Sequence, residues 1–232
     1  RFRRMTAWEY DGFFRIGMHH RNERNAIIQH GTMTMVRKDL LANTGAWSEW
    51  TICEDAELGL RLMHAGHELA YVDELMGKGL TPADFTAYKS QRYRWAFGAM
   101  QIMKARFGWM VKKDSPLTRG QKFHFLTGWF SWFADALHLI FTMMAIAWTI
   151  GMVGWPRYFN LPMELFLIPI IGFIISKVFF GIVLYRKRVP CSWYDTIMAS
   201  IASMGLSHAI ARGIFLGLWK KKGEFVRTAK SR

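Results

Sequence analysis

The sequence predicts an α/β cytosolic portion followed by α-helical interfacial and transmembrane segments, and three observations carry that expectation. A helical pattern at residues 51–66 is flanked by two segments of strand-like alternation, 26–37 and 68–75, and the order strand, helix, strand defines α/β architecture. Two runs, 123–150 and 161–185, are apolar for long enough to cross a hydrocarbon core of about 30 Å. Basic clusters, Arg186-Lys187-Arg188 and Lys220-Lys221-Lys222, bracket the apolar runs.

Composition agrees with a divided chain. It is 51% hydrophobic and 16% aromatic but only 21% charged, a mixture of polar and greasy halves that a single soluble domain does not need. The formal charge of +14, from 31 Lys and Arg against 17 Asp and Glu, suits nucleic acid, anionic lipid or a phosphorylated substrate. Placement of the basic residues beside apolar runs favours the last two, so a lipid bilayer is an expected partner and nucleic acid is not. Cys53 and Cys191 offer neither a disulfide framework nor metal-ligand spacing and are read as reduced thiols facing the cytosol. The opening RFRRMTAWEY is basic but has no apolar stretch of the signal-peptide kind and no initiator Met, so the chain is expected to be the C-terminal part of something longer.

In order along the chain, residues 11–24 mix aromatic and basic side chains and read as helix or loop. Residues 26–37 (AIIQHGTMTMVR) alternate apolar and polar, a strand pattern broken at Gly31, where either a bulge or the close approach of another group explains the glycine. His19, His20, His30, His64 and His67 raise the question of a metal. Only His64 and His67 have chelating spacing, and without a third ligand a position near a helix end explains them better. Thr51 and Glu54 form a capping-box pattern, Leu58, Leu62 and Ala65 follow at helical spacing, and Gly66 supplies the stop. Residues 68–75 (ELAYVDEL) then read as the second strand.

Glu54 and Asp55 fall in the first turn of that helix, where the dipole favours acids for stability alone. The same place suits a general base at the edge of a sheet. Gln91, Arg94 and Trp95 stand at i, i+3 and i+4 on the next predicted helix, 85–110, and therefore share a side. Indole, amide and guanidinium together can read a sugar ring, its hydroxyls and a diphosphate. Trp and Arg also collect at membrane surfaces, and the helix is amphipathic, aromatic and basic, as one lying in the interface would be.

An acidic Thr-Glu-Asp-like motif, here Cys53-Glu54-Asp55, followed by Gln-x-x-Arg-Trp and then membrane helices resembles the processive family 2 membrane glycosyltransferases, among them cellulose, hyaluronan and β-glucan synthases. The segments HHRNERNAIIQHGTMTMVRKDLL and DSPLTRGQKFHFLTGW are most similar to bacterial β-(1,3)-glucan synthase-like proteins. The resemblance implies that residues 1–84 are the C-terminal part of a GT-A type catalytic domain. Residues 85–116 would be the interfacial helix and 117–232 the membrane region. It implies catalytic roles for Asp55, as general base, and Glu54, in support. Gln91, Arg94 and Trp95 would bind acceptor and donor, with His30, Gly31 and Thr32 lining the acceptor pocket. The partners implied are UDP-glucose and a growing glucan. The family holds its nucleotide and metal with an Asp-x-Asp motif, which this sequence lacks, so ligands for Mg2+ or Mn2+ are expected upstream of the chain, and this chain alone is not expected to turn over. A different sugar or linkage, as in hyaluronan-, chitin- or cellulose-type synthases, and a non-catalytic membrane scaffold that binds glucan are the alternatives.

Residues 123–150 are roughly 42 Å long at about 1.5 Å per residue and are predicted to span. Residues 161–185 form a second predicted span, bent at Pro169. The connection between the spans carries only Arg157, so the positive-inside rule places it outside the cytosol. The implied location is a bacterial inner membrane, multi-pass, with the site cytosolic. Asp135, His138 and Lys177 lie inside the spans and are channel candidates, because intramembrane charge suggests a polar path; an Asp135–Lys177 ion pair is the preferred plainer explanation. Residues 192–218 carry a polar stripe, Ser192, Thr196, Ser200, Ser203 and Ser207, and are expected to lie in the interface. The closing Phe225-x-x-Thr228-x-Lys230 resembles the family's gating loop, about 223–232, which closes over the nucleotide. A homo-oligomer or accessory subunits are left open.

Overall fold

The computed structural model describes residues 2–31, 33–74, 76–77, 79–160, 163–220 and 223, with backbone alone at 163–165, 173, 177, 178 and 180. Thr32 and the gating-loop residues Phe225, Thr228 and Lys230 lie outside the described residues. α1 (Phe2–Gly12) runs through a π-helical stretch, Phe13–Met18, into α2 (His19–Asn22). α3 (Lys38–Asn43) and α4 (Glu54–His64) follow, then the long α5 (Phe85–Val111) and α6 (Arg119–Gly154). α7 (Met163–Ile174), a second π stretch Ile175–Phe179 and α8 (Phe180–Arg188) make one helical run, and α9 (Trp193–Met204) and α10 (Ser207–Trp219) close the fold.

Neither expected strand forms among the described residues, so the α/β reading is not met here. A strand requires a neighbour to receive its backbone groups, and these segments spend theirs otherwise. Leu69 N–H donates to Asn25 Oδ1 at 2.8 Å and Tyr71 N–H to Asn22 Oδ1 at 2.7 Å. Two asparagine side chains thus take the alternate donors that a ladder would use. Gly31 N–H is likewise taken by a side chain, that of Asp55.

The capping box at Thr51 is also corrected. The N-cap of α4 is Cys53, with no side-chain cap bond, and Thr51 Oγ1 accepts from Cys53 N–H at 3.2 Å. Glu54 therefore opens the helix and is too early to serve as the third residue of a box. The other end is as expected. Gly66, at φ +86°, follows the C-cap Ala65, and its N–H reaches Met63 O while His67 N–H reaches Leu62 O, both at 3.0 Å. That pair is a Schellman closure, which needs a residue in the left-handed region.

α5 packs against α4, α6 and α10. Asp84 caps it by accepting from Ala87 N–H at 2.8 Å, and its buried residues lie around several sides. One side contributes Tyr88, Ala96 and Met100 to a core with Ala136 of α6 and Ile210, Ala211 and Ile214 of α10. Another gives Ile102 and Met110 to a second core with Leu60 and Met63 of α4 and Phe125 and Trp129 of α6. Gly213 and Gly217, four apart on α10, let that helix settle onto the α5 backbone: a Cβ at either would stand 2.7 Å from a main-chain oxygen, of Tyr93 and of Phe97 respectively. Small residues at this spacing permit such close helix contact.

α6 is long and apolar enough to cross a membrane, and only 11% of its apolar window is buried in the molecule, unlike the core helix of a soluble domain. Residues Trp193–Trp219 pass the same length and composition test. That run is two helices separated at Gly205 and Leu206, and 44% of its window is buried, largely against α5 and α6. Pro169 stays inside α7, and the irregular turn of that run is the π stretch a few residues on.

Candidate functional site

The site is assembled by α5, which holds the loop before α4 along one side. Gln101 Oε1 accepts from Ile52 N–H at 3.2 Å and Gln101 Nε2 donates to Trp50 O at 3.3 Å. Cys53 Sγ lies 3.7 Å from Arg94 O, and Gly98 is bare because a Cβ there would overlap Cys53 Sγ. Gln91, Arg94, Gly98 and Gln101 fall at i, i+3, i+7 and i+10, a single helical face. The Gln-x-x-Arg-Trp cluster and the acidic motif are therefore joined by direct contact.

Within α4 the buried Glu57 fixes that placement. It is fully buried and accepts from Ser48 Oγ, from Arg61 Nε at 3.1 Å and from Arg106 Nη2 at 2.7 Å. Two guanidinium groups thereby neutralise one carboxylate across three segments, and a buried charge of this kind requires such pairing. Glu57 and Arg61 are an i, i+4 pair, a signal readable in sequence; Arg106 is not.

Asp55, one residue into α4, has both oxygens engaged by main-chain donors. Oδ2 accepts from Gly31 N–H at 2.6 Å and Oδ1 from Ala56 N–H at 2.8 Å. Gly31 is thus a place of close approach rather than a simple bulge: a Cβ there would be 3.4 Å from Asp55 Oδ2. Each carboxylate oxygen has a second lone pair, so both remain able to accept from an incoming hydroxyl. Glu54 is half-buried at the start of the same turn.

His30 is set between Phe13 and Phe14, with ring centroids at 5.0 and 5.3 Å. Burial pushes its pKa down to about 4, against the upward pull of Asp55, so the imidazole is neutral near pH 7. Phe13 also lies 6.5 Å from Trp95, and Tyr10 meets Trp95 edge-on at 5.8 Å. The result is a continuous aromatic surface from His30 to Trp95.

The Gln91–Trp95 end is held from α1. The Tyr10 hydroxyl donates to Gln91 Oε1, and burial pushes the pKa of that phenol up to about 12. Arg92 is ion-paired with Glu9, and its guanidinium lies 4.4 Å from the Trp95 ring and 5.1 Å from those of Tyr10 and Tyr88. Arg94 is only 8% exposed, and burial lowers its pKa. Tyr10, Phe13, Phe14, Glu9 and Arg92 were not singled out in the sequence. Arg92 stood inside the motif as its second letter, but the four α1 and π-stretch residues are some 80 positions away and carry no local signal.

The channel candidates part company. Asp135 is buried on α6 and accepts from Ser207 Oγ at 3.4 Å, so a partner on α10 is established. The side chain of Lys177 is outside the described residues. His138 lines a cavity of about 120 Å³ with Leu137, Phe141, Pro169 and Ile170. His64 stacks on Trp109 at 3.8 Å and 20°, and burial lowers its pKa, so stacking of a neutral ring replaces the expected cation at a helix end. Among the described residues no three His, Cys, Asp or Glu side chains come together as a metal group, and the residues present do not fit the divalent ion that the family resemblance implies.

Comparison with known proteins bears on the same region. A family model described as Glycosyl transferase family group 2 matches residues 4–203. The chain is 29% identical over 101 residues to a probable glucomannan 4-beta-mannosyltransferase 2 of Oryza sativa subsp. japonica, covering 44% of this chain and 17% of that protein. It is 29% identical over 86 residues to glucomannan 4-beta-mannosyltransferase 7 of Arabidopsis thaliana, covering 37% and 16%. A UDP-forming cellulose synthase catalytic subunit of Komagataeibacter sucrofermentans is 28% identical over 122 residues, covering 50% and 15%. The chain thus spans about a sixth of the length of these relatives.

Proposed function

The chain belongs to glycosyl transferase family group 2, and on that premise we propose that it forms the acceptor side of an inverting, processive hexosyltransferase that extends a β-linked glucan from UDP-glucose at the cytosolic face of a bacterial inner membrane. The observation that carries the reading is the 2.6 Å bond from Gly31 N–H to Asp55 Oδ2. It fixes a carboxylate at one end of an aromatic surface whose other end is Trp95. Asp55 takes the proton of the acceptor hydroxyl as that oxygen bonds to the anomeric carbon of the donor. The bond from that carbon to the diphosphate breaks, and UDP departs. Positioned proton transfer of this kind contributes roughly 10²–10⁴-fold. The aromatic faces from Phe13 to Trp95 take the sugar rings, and Gln91 and Arg94 take hydroxyls and diphosphate. Mg2+ or Mn2+ would be held by residues outside these 232, and no step here runs through it.

Two finer points have different support. A β-1,3 linkage rests on the similarity of residues 19–41 and 114–129 to β-(1,3)-glucan synthase-like proteins; the names of the relatives, cellulose synthase and 4-beta-mannosyltransferases, favour a β-1,4 linkage as the second reading. Linkage analysis of the polymer made by the full-length protein separates them. Placement in a bilayer, with the glucan leaving along the protein's own helices, is supported by the exposed apolar surface of α6. The test of catalysis is UDP release from UDP-glucose by full-length protein carrying Asp55→Asn. A fall of about 10² or more is expected; an unchanged rate means that Asp55 is not the base, and no UDP release by the parent itself means a scaffold rather than an enzyme.

A further inference from the structure

Among the described residues Arg21 of α2 has no carboxylate paired with it. Its side chain lies against α6 where Gly128 leaves room, since a Cβ at 128 would stand 2.8 Å from Arg21 Nη2. Nη1 is buried and has no hydrogen-bond partner among the described residues. Two turns earlier on α6, Gly120 makes the same allowance for Arg24, whose side chain would be 3.3 Å from a Cβ there. His124 lies between these two glycines, at the i+4 position from Gly120 and four before Gly128, so all three share a face. The nearby acid, Glu23, lies 3.9 and 3.8 Å from His19 and His20 and is 61% exposed.

A buried guanidinium nitrogen without a carboxylate is costly, and α6 is shaped by Gly128 to receive that of Arg21, while the stem of the exposed Arg24 runs past Gly120. The planar fork of arginine matches oxyanions in a bidentate way, and Arg21 and Arg24, set against two glycines on one face of α6, favour the higher charge of a phosphate. The cluster lies on the opening turns of the helix whose later turns expose apolar surface, the depth at which headgroups lie. We propose that Arg21, Arg24 and His124 form a phosphate-binding site at the entry to α6, separate from the Gln91–Trp95 face. The phosphate comes either from an anionic lipid headgroup or from a soluble diphosphate. The site does not depend on the catalytic reading of Asp55.

The experiment is thermal unfolding of the full-length protein in a neutral detergent. It is run alone, with inorganic pyrophosphate, and in mixed micelles containing phosphatidylglycerol or, as control, phosphatidylcholine. A saturating anion at about a hundred times its Kd is expected to raise the midpoint by on the order of 5 °C, and Arg21→Met to abolish that rise. A rise with pyrophosphate assigns the site to a soluble phosphate, and a rise with phosphatidylglycerol alone assigns it to a headgroup. Should Arg21→Met not fold, Arg24→Met, on the same face, is expected to lose most of the rise. No rise with either anion, or a rise kept in full by the variant that folds, overturns the proposal.

Discussion

Gly31 N–H and Asp55 Oδ2 are 2.6 Å apart, a main-chain donor and a carboxylate brought together from segments 24 residues apart. Asp55 is therefore aimed by backbone rather than by another side chain, and its direction is insensitive to rotamer changes nearby. A methyl at residue 31 would sit 3.4 Å from Oδ2, an ordinary contact that the fold tolerates but one that occupies space needed by an incoming hydroxyl. Gly31→Ala is expected to leave the thermal midpoint within about 2 °C while lowering glycosyl transfer by roughly ten- to a hundredfold, since displacement of about 1 Å at the reacting atoms costs that much. Circular dichroism melting and UDP release, measured on the same preparation, check both halves.

How much of this was legible depends on how local each cause is. The helix that Glu54 opens and its stop at Gly66 were readable because apolar helical spacing and a Schellman closure are set within a few residues, although the capping box expected at Thr51 does not form. The apolar run of α6 was readable because hydropathy needs no partner. The strands expected at 26–37 and 68–75 are not found among the described residues: alternation reports which side chains face the same way, whereas a strand exists only if a neighbour takes its N–H and C=O groups. Here Asn22, Asn25 and Asp55 take several of them. The aromatic surface from His30 to Trp95 was half legible: Trp95 stood in a motif, but Phe13 and Phe14 reach it only through a π-helical stretch that no periodicity announces.

His30 makes stability depend on pH in a defined direction. Its folded pKa is about 4 against an ordinary 6.5, so between those values the unfolded chain binds the proton and the folded one does not. Stability contributed by the neutral ring is present above about pH 6.5 and is lost as pH falls toward 4, by roughly 3 kcal/mol. His64, also lowered by burial, acts in the same direction. The difference between the parent and His30→Gln isolates the one ring: their unfolding free energies should differ less at pH 5 than at pH 7. Parallel curves would mean that His30 is solvated.

Glu9 and Arg92 tie α1 to the Trp95 platform. Their side chains are 14% and 7% exposed, so removal of one partner leaves the other charged and poorly hydrated, at a cost of about 3–5 kcal/mol. Glu9→Gln is expected to fall toward the lower end, because an amide still accepts from the guanidinium. Arg92→Lys is expected to do worse than Glu9→Gln, since an ammonium cannot lie flat over Trp95, Tyr10 and Tyr88 together. The order of the two thermal midpoints decides this, and a lysine variant as stable as the parent would show that the stacking contributes nothing.

The contact between α10 and α5 is the least forgiving in the molecule. At Gly213 a Cβ would lie 2.7 Å from Tyr93 O and 3.0 Å from Ala96 Cβ, and at Gly217 2.7 Å from Phe97 O and 2.9 Å from Met100 Cβ. Backbone oxygen cannot move aside as a side chain can, so relief requires the helices to separate. Separation would open the core of Tyr88, Met100, Ile210 and Ile214 and shift the side of α5 that holds Cys53 and Gln91. Gly172, on α7, has nothing within 4 Å of a Cβ position and serves as the control, because alanine is favoured over glycine in an open helix by about 1 kcal/mol. Gly213→Val and Gly217→Val are expected to lower the yield of folded protein in detergent at least severalfold, and Gly172→Ala to leave it unchanged or higher. Equal yields for all three would mean that α10 does not seat against α5, and the contact of Arg94 with Cys53 in the acidic motif would lose its support.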